Sequence, residues 1–303
     1  MSTLIVAVDF SKTSASAVTF GCYLAETLNL TLEIVHYIDP LRSGDKLFTS
    51  NDYELRRNEL EPELEAFARK HCKPAVEKAT GYARQMTAFN ISTITGDAAR
   101  GLLKRTKEPN TALVVLGGVG AGAGAHPPGY YGSVANTVAL DGKCPVILIP
   151  RDYGPVTVER LAIAFDEASE VLKISSFARS VIRALKPDVR FVHVKEHDWK
   201  WEFDNENEFL SLAWGPDFPS YTFHFDAIEE GIMVGDLLDY SLIHRIDLLV
   251  IGGKRRGFWR NLFDSKNIMG IVKEAKVPLL IVPFMKPKGK DELVRDHKLV
   301  EYN

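Results

Sequence analysis

The chain repeats itself, and this duplication constrains the fold more than any other feature of the sequence. Leu4-Ile-Val-Ala-Val-Asp9 returns as Leu161-Ala-Ile-Ala-Phe-Asp166, which begins 157 residues later. Three further apolar segments return in the same order at shifts of 157, 135 and 133 residues: 33–36 at 190–193, 113–118 at 248–253, and 145–150 at 278–283. A period this long excludes a solenoid, whose repeats span about 20–50 residues. Two copies of one domain are therefore predicted.

Each copy alternates predicted strands with predicted helices. The strand segments are short uninterrupted apolar runs, such as 4–8 and 145–149, which are typical of strands covered by helices on both faces. A helical pattern follows Ser11, the expected N-cap. This alternation predicts right-handed βαβ units and an α/β fold with a parallel sheet. Because Asp-Tyr-Gly-Pro breaks the pattern, the predicted domains are 1–152 and 153–285, followed by a charged tail at 286–303.

Composition excludes several classes of protein. The 303 residues suffice for two domains of about 150 residues each. The 37 basic and 40 acidic residues leave a net charge of −3, which lacks the positive field of a non-specific nucleic-acid binder. No apolar run reaches about 18 residues and the N-terminus has no basic segment, so neither a membrane span nor a signal peptide is expected. Three cysteines without a CxxC motif favour reduced thiols and a cytoplasmic location.

Two features fall at the predicted carboxyl ends of the strands in the first copy, where open α/β sheets bind ligands. Asp9 ends the first strand, and a glycine-rich loop from Gly117 to Ser133 precedes a predicted helix. Glycines allow backbone N–H groups to approach phosphate oxygens, and a helix N-terminus adds donors and a positive dipole. The alternative is that Asp9 and Ser11 only cap a helix and that the glycines form a plain loop. The dinucleotide-binding and P-loop motifs are absent, which disfavours a dehydrogenase or a P-loop NTPase.

The chain resembles a tandem universal stress protein over almost its whole length. The resemblance rests on Val-Asp-Phe-Ser at 8–11, His-Tyr-Ile-Asp at 36–39 and Cys-Pro-Val-Ile-Leu-Ile-Pro at 144–150. The loop of ATP-binding members reads G-x2-G-x9-G-[ST]. Gly117, Gly120 and Gly132-Ser133 match that motif, but eleven residues instead of nine separate the second and third glycines. The second copy departs further, with Arg255 in place of Gly120 and Asp264 in place of Gly132.

The resemblance implies two flavodoxin-like (Rossmann-like), doubly wound parallel sheets of order 3-2-1-4-5 that pair as an intramolecular pseudo-dimer. It also implies a site for ATP, with or without Mg²⁺, or for another adenine nucleotide. The nucleotide-binding residues carried over from the family are Ala7, Val8, Asp9, Ile38, Leu116, Gly117, Gly120, Gly132, Ser133 and Val134. The second domain is expected not to bind ATP in this manner, because Asp264 would repel phosphates and would itself cap the helix. A homodimer of the whole chain is left open.

The function that the resemblance implies is a stress-response regulatory or protective module, with slow ATP hydrolysis at most. No catalytic residue is assigned, and His193 with His197 is weighed as a metal site but not adopted. The alternative function is binding of a partner or a small apolar ligand by the aromatic insertion of the second domain, 197–225, which holds three of the four tryptophans. A third hypothesis, an adenylate-handling enzyme, lacks a phosphate-side catalytic motif. In the charged segment 54–78, Pro62 and Pro74 are expected to interrupt the helix.

Overall fold

The computed structural model describes residues 2–39, 50–80, 88–118, 133–150, 153–154, 157–165, 176–194, 223–228, 233–253 and 275–283. The first half of the chain contributes β1 (Thr3–Val8), α1 (Lys12–Leu28), β2 (Thr31–Ile38), α2 (Ser50–Thr80), β3 (Phe89–Thr95), α3 (Ala98–Arg105), β4 (Thr111–Gly117), α4 (Ser133–Asp141) and β5 (Val146–Ile149). The second half contributes β6 (Arg160–Phe165), α5 (Ser176–Leu185), β7 (Asp188–Val194), β8 (Phe223–Ile228), α6 (Met233–Ile243), β9 (Leu248–Gly253) and β10 (Leu279–Pro283).

All ten strands form one sheet in the order β3-β2-β1-β4-β5-β10-β9-β6-β7-β8. Within each half the observed pairs are parallel, and the order from the outer edge inward is 3-2-1-4-5 in both. The two halves meet where β5 and β10 pair antiparallel, with Leu280 opposite Ile147. The predicted fold class, including the intramolecular pseudo-dimer, is therefore confirmed.

A hydrophobic core covers each face of this sheet, and both cores run through both halves. One core joins Leu4 and Ile34 of the first half to Leu161 and Leu280 of the second half. The core on the opposite face contains Ile5, Val114, Leu148, Ala162, Leu249 and Leu279. Alternate residues of each strand enter opposite cores because side chains alternate across a sheet. The uninterrupted apolar runs of the sequence are explained by these two covered faces.

The long helix α2 packs along α1 on the first of these faces. Its inward residues recur at helical spacing: Leu60, Leu64, Ala68, Cys72 and Ala75 are all buried. The helix continues through Pro62 and Pro74, so the expectation that these prolines interrupt it was wrong. A proline inside a helix removes one backbone hydrogen bond and costs about 3 kcal/mol. Packing of the apolar stripe against α1 offsets that cost.

Candidate functional site

The carboxyl ends of β1, β2 and β4 form the candidate site. Ala7 lies opposite Leu116 in the register of β1 and β4, and Val8 lies opposite His36 of β2. The strand order changes direction at this point, because β1 has β2 as its neighbour on one side and β4 as its neighbour on the other. Such a switch point leaves a crevice at the strand ends. The structure thus brings together five of the predicted residues: Ala7, Val8, Ile38, Leu116 and Gly117.

Asp9 and Ser11 organise the turn between β1 and α1. The Ser11 N–H donates to Oδ1 of Asp9 at 3.1 Å, and the Ser14 N–H donates to Oγ of Ser11 at 3.1 Å. Ser11 is the N-cap of α1, as predicted. This capping is compatible with both hypotheses for Asp9, a capping role alone and an additional role as an acceptor for a ligand. A carboxylate offers about four acceptor positions, and the bond from Ser11 uses one of them. The N–H groups of Ser11 and Ser14 at the start of α1 are therefore already supplied with acceptors from the local sequence.

Gly117, the first glycine of the loop motif, lies against the start of α1. A Cβ atom at this position would lie 3.0 Å from the Ser14 nitrogen, 3.0 Å from the Thr13 carbonyl carbon and 3.1 Å from Thr13 Cγ2. Two of these atoms belong to the backbone, so a side chain cannot be accommodated by a rotamer change alone. Glycine is favoured here because the end of β4 and the first turn of α1 are in direct contact, and a Cβ atom would push that turn by a few tenths of an ångström.

Phe10 is a site residue that the sequence analysis missed. Its φ of 62° is in the left-handed region, which is rare for a bulky residue. The Phe10 ring contacts His36 at 4.9 Å and Phe67 of α2 at 5.4 Å between centroids. Nδ1 of His36 lies 2.8 Å from the Val8 carbonyl oxygen, and since a carbonyl only accepts, Nδ1 carries the hydrogen. These contacts hold the turn that carries Asp9. No sequence pattern signals a left-handed phenylalanine.

The predicted phosphate side of the site is described in part. Ser133 and Val134 are the first two residues of α4, and the Ser133 side chain is exposed. Because α4 connects the parallel strands β4 and β5, it begins at the same edge of the sheet as the ends of β1 and β2. The first turn of α4 contains no acidic residue. Gly120 and Gly132 lie outside the described residues.

The corresponding edge of the second half has the same strand register with different side chains. Ala164 lies opposite Ile251, as Ala7 lies opposite Leu116. His193 is 3% exposed, and its ring contacts Phe165 at 5.2 Å. The expected loss of the second site depends on the loop at 254–274. This loop and Asp166 both lie outside the described residues. The predictions about Arg255 and Asp264 therefore stay predictions.

Metal-binding clusters and membrane spans are both absent from the described parts of the chain. No group of three or more histidine, cysteine, aspartate or glutamate side chains is arranged there to hold a metal ion. None of the helices in those same parts is long and apolar enough to cross a membrane. His193 is described, but His197 lies outside the described residues, so the pair considered as a metal site is not observed together.

The fold and the strand-end site define a tandem α/β protein of the flavodoxin-like type, with two copies sharing one sheet. The model of the universal stress protein family matches residues 1–150. The chain is 25% identical over 314 aligned positions to universal stress protein Rv1996 of Mycobacterium tuberculosis, covering 92% of this chain and 94% of that protein. The chain belongs to the universal stress protein family.

Solved structures support the fold. A universal stress protein from Archaeoglobus fulgidus superposes with a TM-score of 0.63 at 14% identity, covering 94% of this chain and 97% of that chain. A protein described as a putative universal stress protein from Pseudomonas aeruginosa has a TM-score of 0.51 at 10% identity, covering 99% and 97% of the two chains. These superpositions establish the shared fold. At identities this low they do not identify a ligand or an activity, which have to be argued from the site itself.

Proposed function

We propose that the chain is a cytoplasmic stress-response protein that binds ATP, or another adenine nucleotide, at the carboxyl edge of β1, β2 and β4. The observation that carries the proposal is the position of Asp9 and Gly117. Asp9 follows β1 and Gly117 ends the adjacent strand β4, at the switch point. Asp9 is a hydrogen-bond acceptor, and Gly117 is a backbone position where a Cβ atom would lie only 3.0 Å from the backbone of α1. A nucleotide needs both features, an acceptor for its ribose or adenine amine and a close backbone approach for its phosphates.

The two helices that begin at this edge differ in what they offer to a phosphate. At the start of α1 the N–H groups of Ser11 and Ser14 already donate to Asp9 and Ser11, and the Asp9 carboxylate repels anions. The first turn of α4 has no acidic residue and begins with Ser133, whose hydroxyl is exposed. Phosphates are therefore proposed to lie at α4, on Gly117, Gly120 and Gly132, with the adenosine end at Asp9, Ala7 and Ile38. Mg²⁺ would arrive with the phosphates.

The second half is proposed to act as the structural partner of the first. Its sheet and cores are continuous with those of the first half, while its loop carries Asp264 where the first copy has Gly132. We assign no catalytic residue and propose a regulatory or protective role in which nucleotide occupancy is the signal. The cytoplasmic location rests on the three cysteines, which are all free thiols.

The test introduces a negative charge at the proposed phosphate position. Gly132→Asp should weaken binding of Mg-ATP at least tenfold, equivalent to about 1.4 kcal/mol, in calorimetric titration. Gly154→Asp makes the same chemical change at an exposed glycine where a Cβ atom would meet nothing within 4 Å, and should leave the affinity unchanged. Circular dichroism verifies that both variants are folded.

Two outcomes would contradict the proposal. Unchanged ATP affinity in Gly132→Asp would show that the loop assignment is wrong. Absence of binding heat with the unmodified chain, together with no nucleotide released on denaturation, would remove the site altogether. The second candidate function would then take precedence, and loss of an apolar ligand on Trp214→Ala, with the fold intact, would support it.

A further inference from the structure

Two cysteines on neighbouring helices lie in direct contact inside the first core. Cys22 of α1 is 1% exposed and Cys72 of α2 is fully buried. The Cys22 thiol donates to the backbone carbonyl oxygen of Cys72 over 3.8 Å, and the Cys72 thiol hydrogen-bonds to the Cys22 thiol. The third cysteine, Cys144, lies in the core on the opposite face of the sheet. The chain therefore contains one thiol pair and one isolated thiol.

Small side chains bring the two helices close enough for this contact. Around Cys72 the inward stripe of α2 consists of Ala68, Cys72 and Ala75, and none of these residues is exposed. A second hydrogen bond links the same turns, because Thr19 Oγ1 donates to the His71 carbonyl oxygen at 3.1 Å. A disulfide requires Cα atoms about 4.4–6.8 Å apart and side chains that face one another. The contact of the Cys22 thiol with Cys72 places the two residues on the facing sides of α1 and α2, and the small neighbouring residues favour a short Cα separation.

We propose that Cys22 and Cys72 form a two-electron redox site, which hydrogen peroxide converts into a disulfide between α1 and α2. The thiolate of Cys22 attacks one peroxide oxygen, the O–O bond breaks, and hydroxide leaves and takes up the released proton as water. The Cys22 sulfenic acid is then attacked by the Cys72 sulfur, which displaces hydroxide and loses its proton to form a second water. Overall, two thiols and one peroxide give one disulfide and two waters, and a dithiol reductant restores the pair.

The position of Pro74 provides a route for peroxide into this buried site. Proline has no N–H, so the bond that would hold the Lys70 carbonyl in the turn containing Cys72 is missing. Local opening of this turn is therefore easier than opening of a turn that keeps all of its backbone hydrogen bonds. The hydrogen bond to Cys22 and burial raise the pKa of the Cys72 thiol, which makes this thiol a poor first nucleophile for peroxide; we assign to it the second step, the attack on the neighbouring Cys22 sulfenic acid.

The experiment compares the three cysteines within the same chain. The reduced protein is exposed to hydrogen peroxide, quenched at intervals and analysed by intact mass and non-reducing peptide mapping. We expect loss of two hydrogens and a peptide pair joined through residues 22 and 72, formed at least tenfold faster than any oxidation of Cys144. Cys144→Ser should form the same bridge at the same rate, and neither Cys22→Ser nor Cys72→Ser should form it. The bridged chain should melt about 5 °C higher than the reduced chain, because closing a long loop restricts the unfolded state.

Three results would overturn the proposal. One is oxidation of all three cysteines at similar rates to sulfinic acids without a bridge. Another is a chain that stays reduced in the native state under conditions that oxidise it completely in urea. The last is a disulfide between molecules, which gel filtration of the oxidised protein would detect. Nucleotide binding enters none of these outcomes, so the redox site and the nucleotide site are tested independently.

Discussion

Gly117 is a residue of the candidate site whose replacement has a defined structural consequence. It ends β4 with the first turn of α1 against it, and the atoms that a Cβ would meet at 3.0 Å belong to the backbone of Thr13 and Ser14. Gly235 of α6 has the opposite environment, because a Cβ there would meet nothing within 4 Å. The two glycines therefore provide a matched pair, one in close contact with a neighbouring backbone and one with open space around it.

Gly117→Ala should lower the free energy of unfolding by about 1–3 kcal/mol, because the added methyl group displaces the start of α1. Under the proposed function it should also weaken ATP binding, since Asp9 moves with that turn. Gly235→Ala should raise stability by up to about 1 kcal/mol, because alanine is favoured over glycine within a helix. Urea unfolding measures both changes. Equal stability of the two variants would show that α1 accommodates the methyl group without strain.

At the scale of single residues, the sequence predicts capping well and unusual backbone conformations poorly. Ser11 and Asp97 precede α1 and α3 and cap them, as their side-chain chemistry indicates. Phe10 could not be predicted to be left-handed, because its conformation depends on contacts with His36 and Phe67, which are distant in sequence. The residues Ala7, Leu116 and Gly117 could be grouped only through the strand order, which the family resemblance provides.

Each half has a cluster of one carboxylate, one arginine and one hydroxyl on equivalent elements, but the three groups occupy different positions in the two halves. In the first half, Glu33 of β2 accepts from Arg105 of α3 at 2.6 and 3.0 Å and from Ser92 of β3 at 3.0 Å. In the second half, the strand position equivalent to Glu33 is Arg190, which donates to Asp226 of β8 at 3.1 Å. Tyr240 of α6, equivalent to Arg105, also donates to Asp226. Acid, base and hydroxyl have therefore changed places while the cluster is kept.

The strength of the Glu33 cluster is testable through pH. Hydrogen bonds from Arg105 lower the pKa of Glu33, so this carboxylate stabilises the fold above its unfolded pKa and loses the contribution as pH falls through the folded value. Glu33→Gln should therefore lower the free energy of unfolding by about 1–3 kcal/mol at pH 7. The reason is that Arg105 loses its main partner, in a pair whose side chains are only 14–19% exposed. The difference from the unmodified chain should shrink as pH falls below about 4.

A control for this measurement comes from an exposed ion pair on α2. Glu61 accepts from Arg57 at 2.9 Å, and both side chains are exposed. Glu61→Gln should change stability by less than about 0.5 kcal/mol at either pH. If Glu33→Gln were equally neutral, or if its cost were the same at pH 3 and pH 7, the Glu33 cluster would not contribute through charge.

The elements show why sequence comparison within the chain succeeds for strands and fails for polar clusters. The strands repeat because both faces of the sheet have to be apolar in both halves, so similar residues recur at fixed shifts. The Glu33 and Arg190 clusters leave no such trace, since no position keeps its residue type. The continuity of α2 through two prolines was equally hidden, because helix propensity favours a break and only packing against α1 opposes it.

The whole molecule is one folding unit in the sense that its sheet and both cores cross the junction of the halves. α1 packs against α5, and Phe20 contacts Tyr153, whose hydroxyl donates to the Asp247 carbonyl oxygen at 3.3 Å. Asp247 also accepts the backbone N–H groups of Glu159 and Arg160 at 2.9 and 2.8 Å. The repeat predicts two similar domains, but the antiparallel pairing of β5 with β10 came only from the family resemblance, because a strand edge has no distinctive sequence.

This continuity predicts that a destabilising substitution in one half also lowers the urea midpoint of the other half. Ile147 of β5 is fully buried and pairs with Leu280 of β10, so Ile147→Ala should cost about 2–5 kcal/mol. All four tryptophans, Trp199, Trp201, Trp214 and Trp259, belong to the second half, so tryptophan fluorescence follows that half while far-ultraviolet circular dichroism follows the whole chain. Both signals should shift to the same lower urea midpoint in Ile147→Ala, and Ile147→Val should shift both by a smaller, equal amount. A fluorescence midpoint that stays at its original value while the dichroism transition splits would mean that the halves unfold separately and that the shared sheet does not couple them.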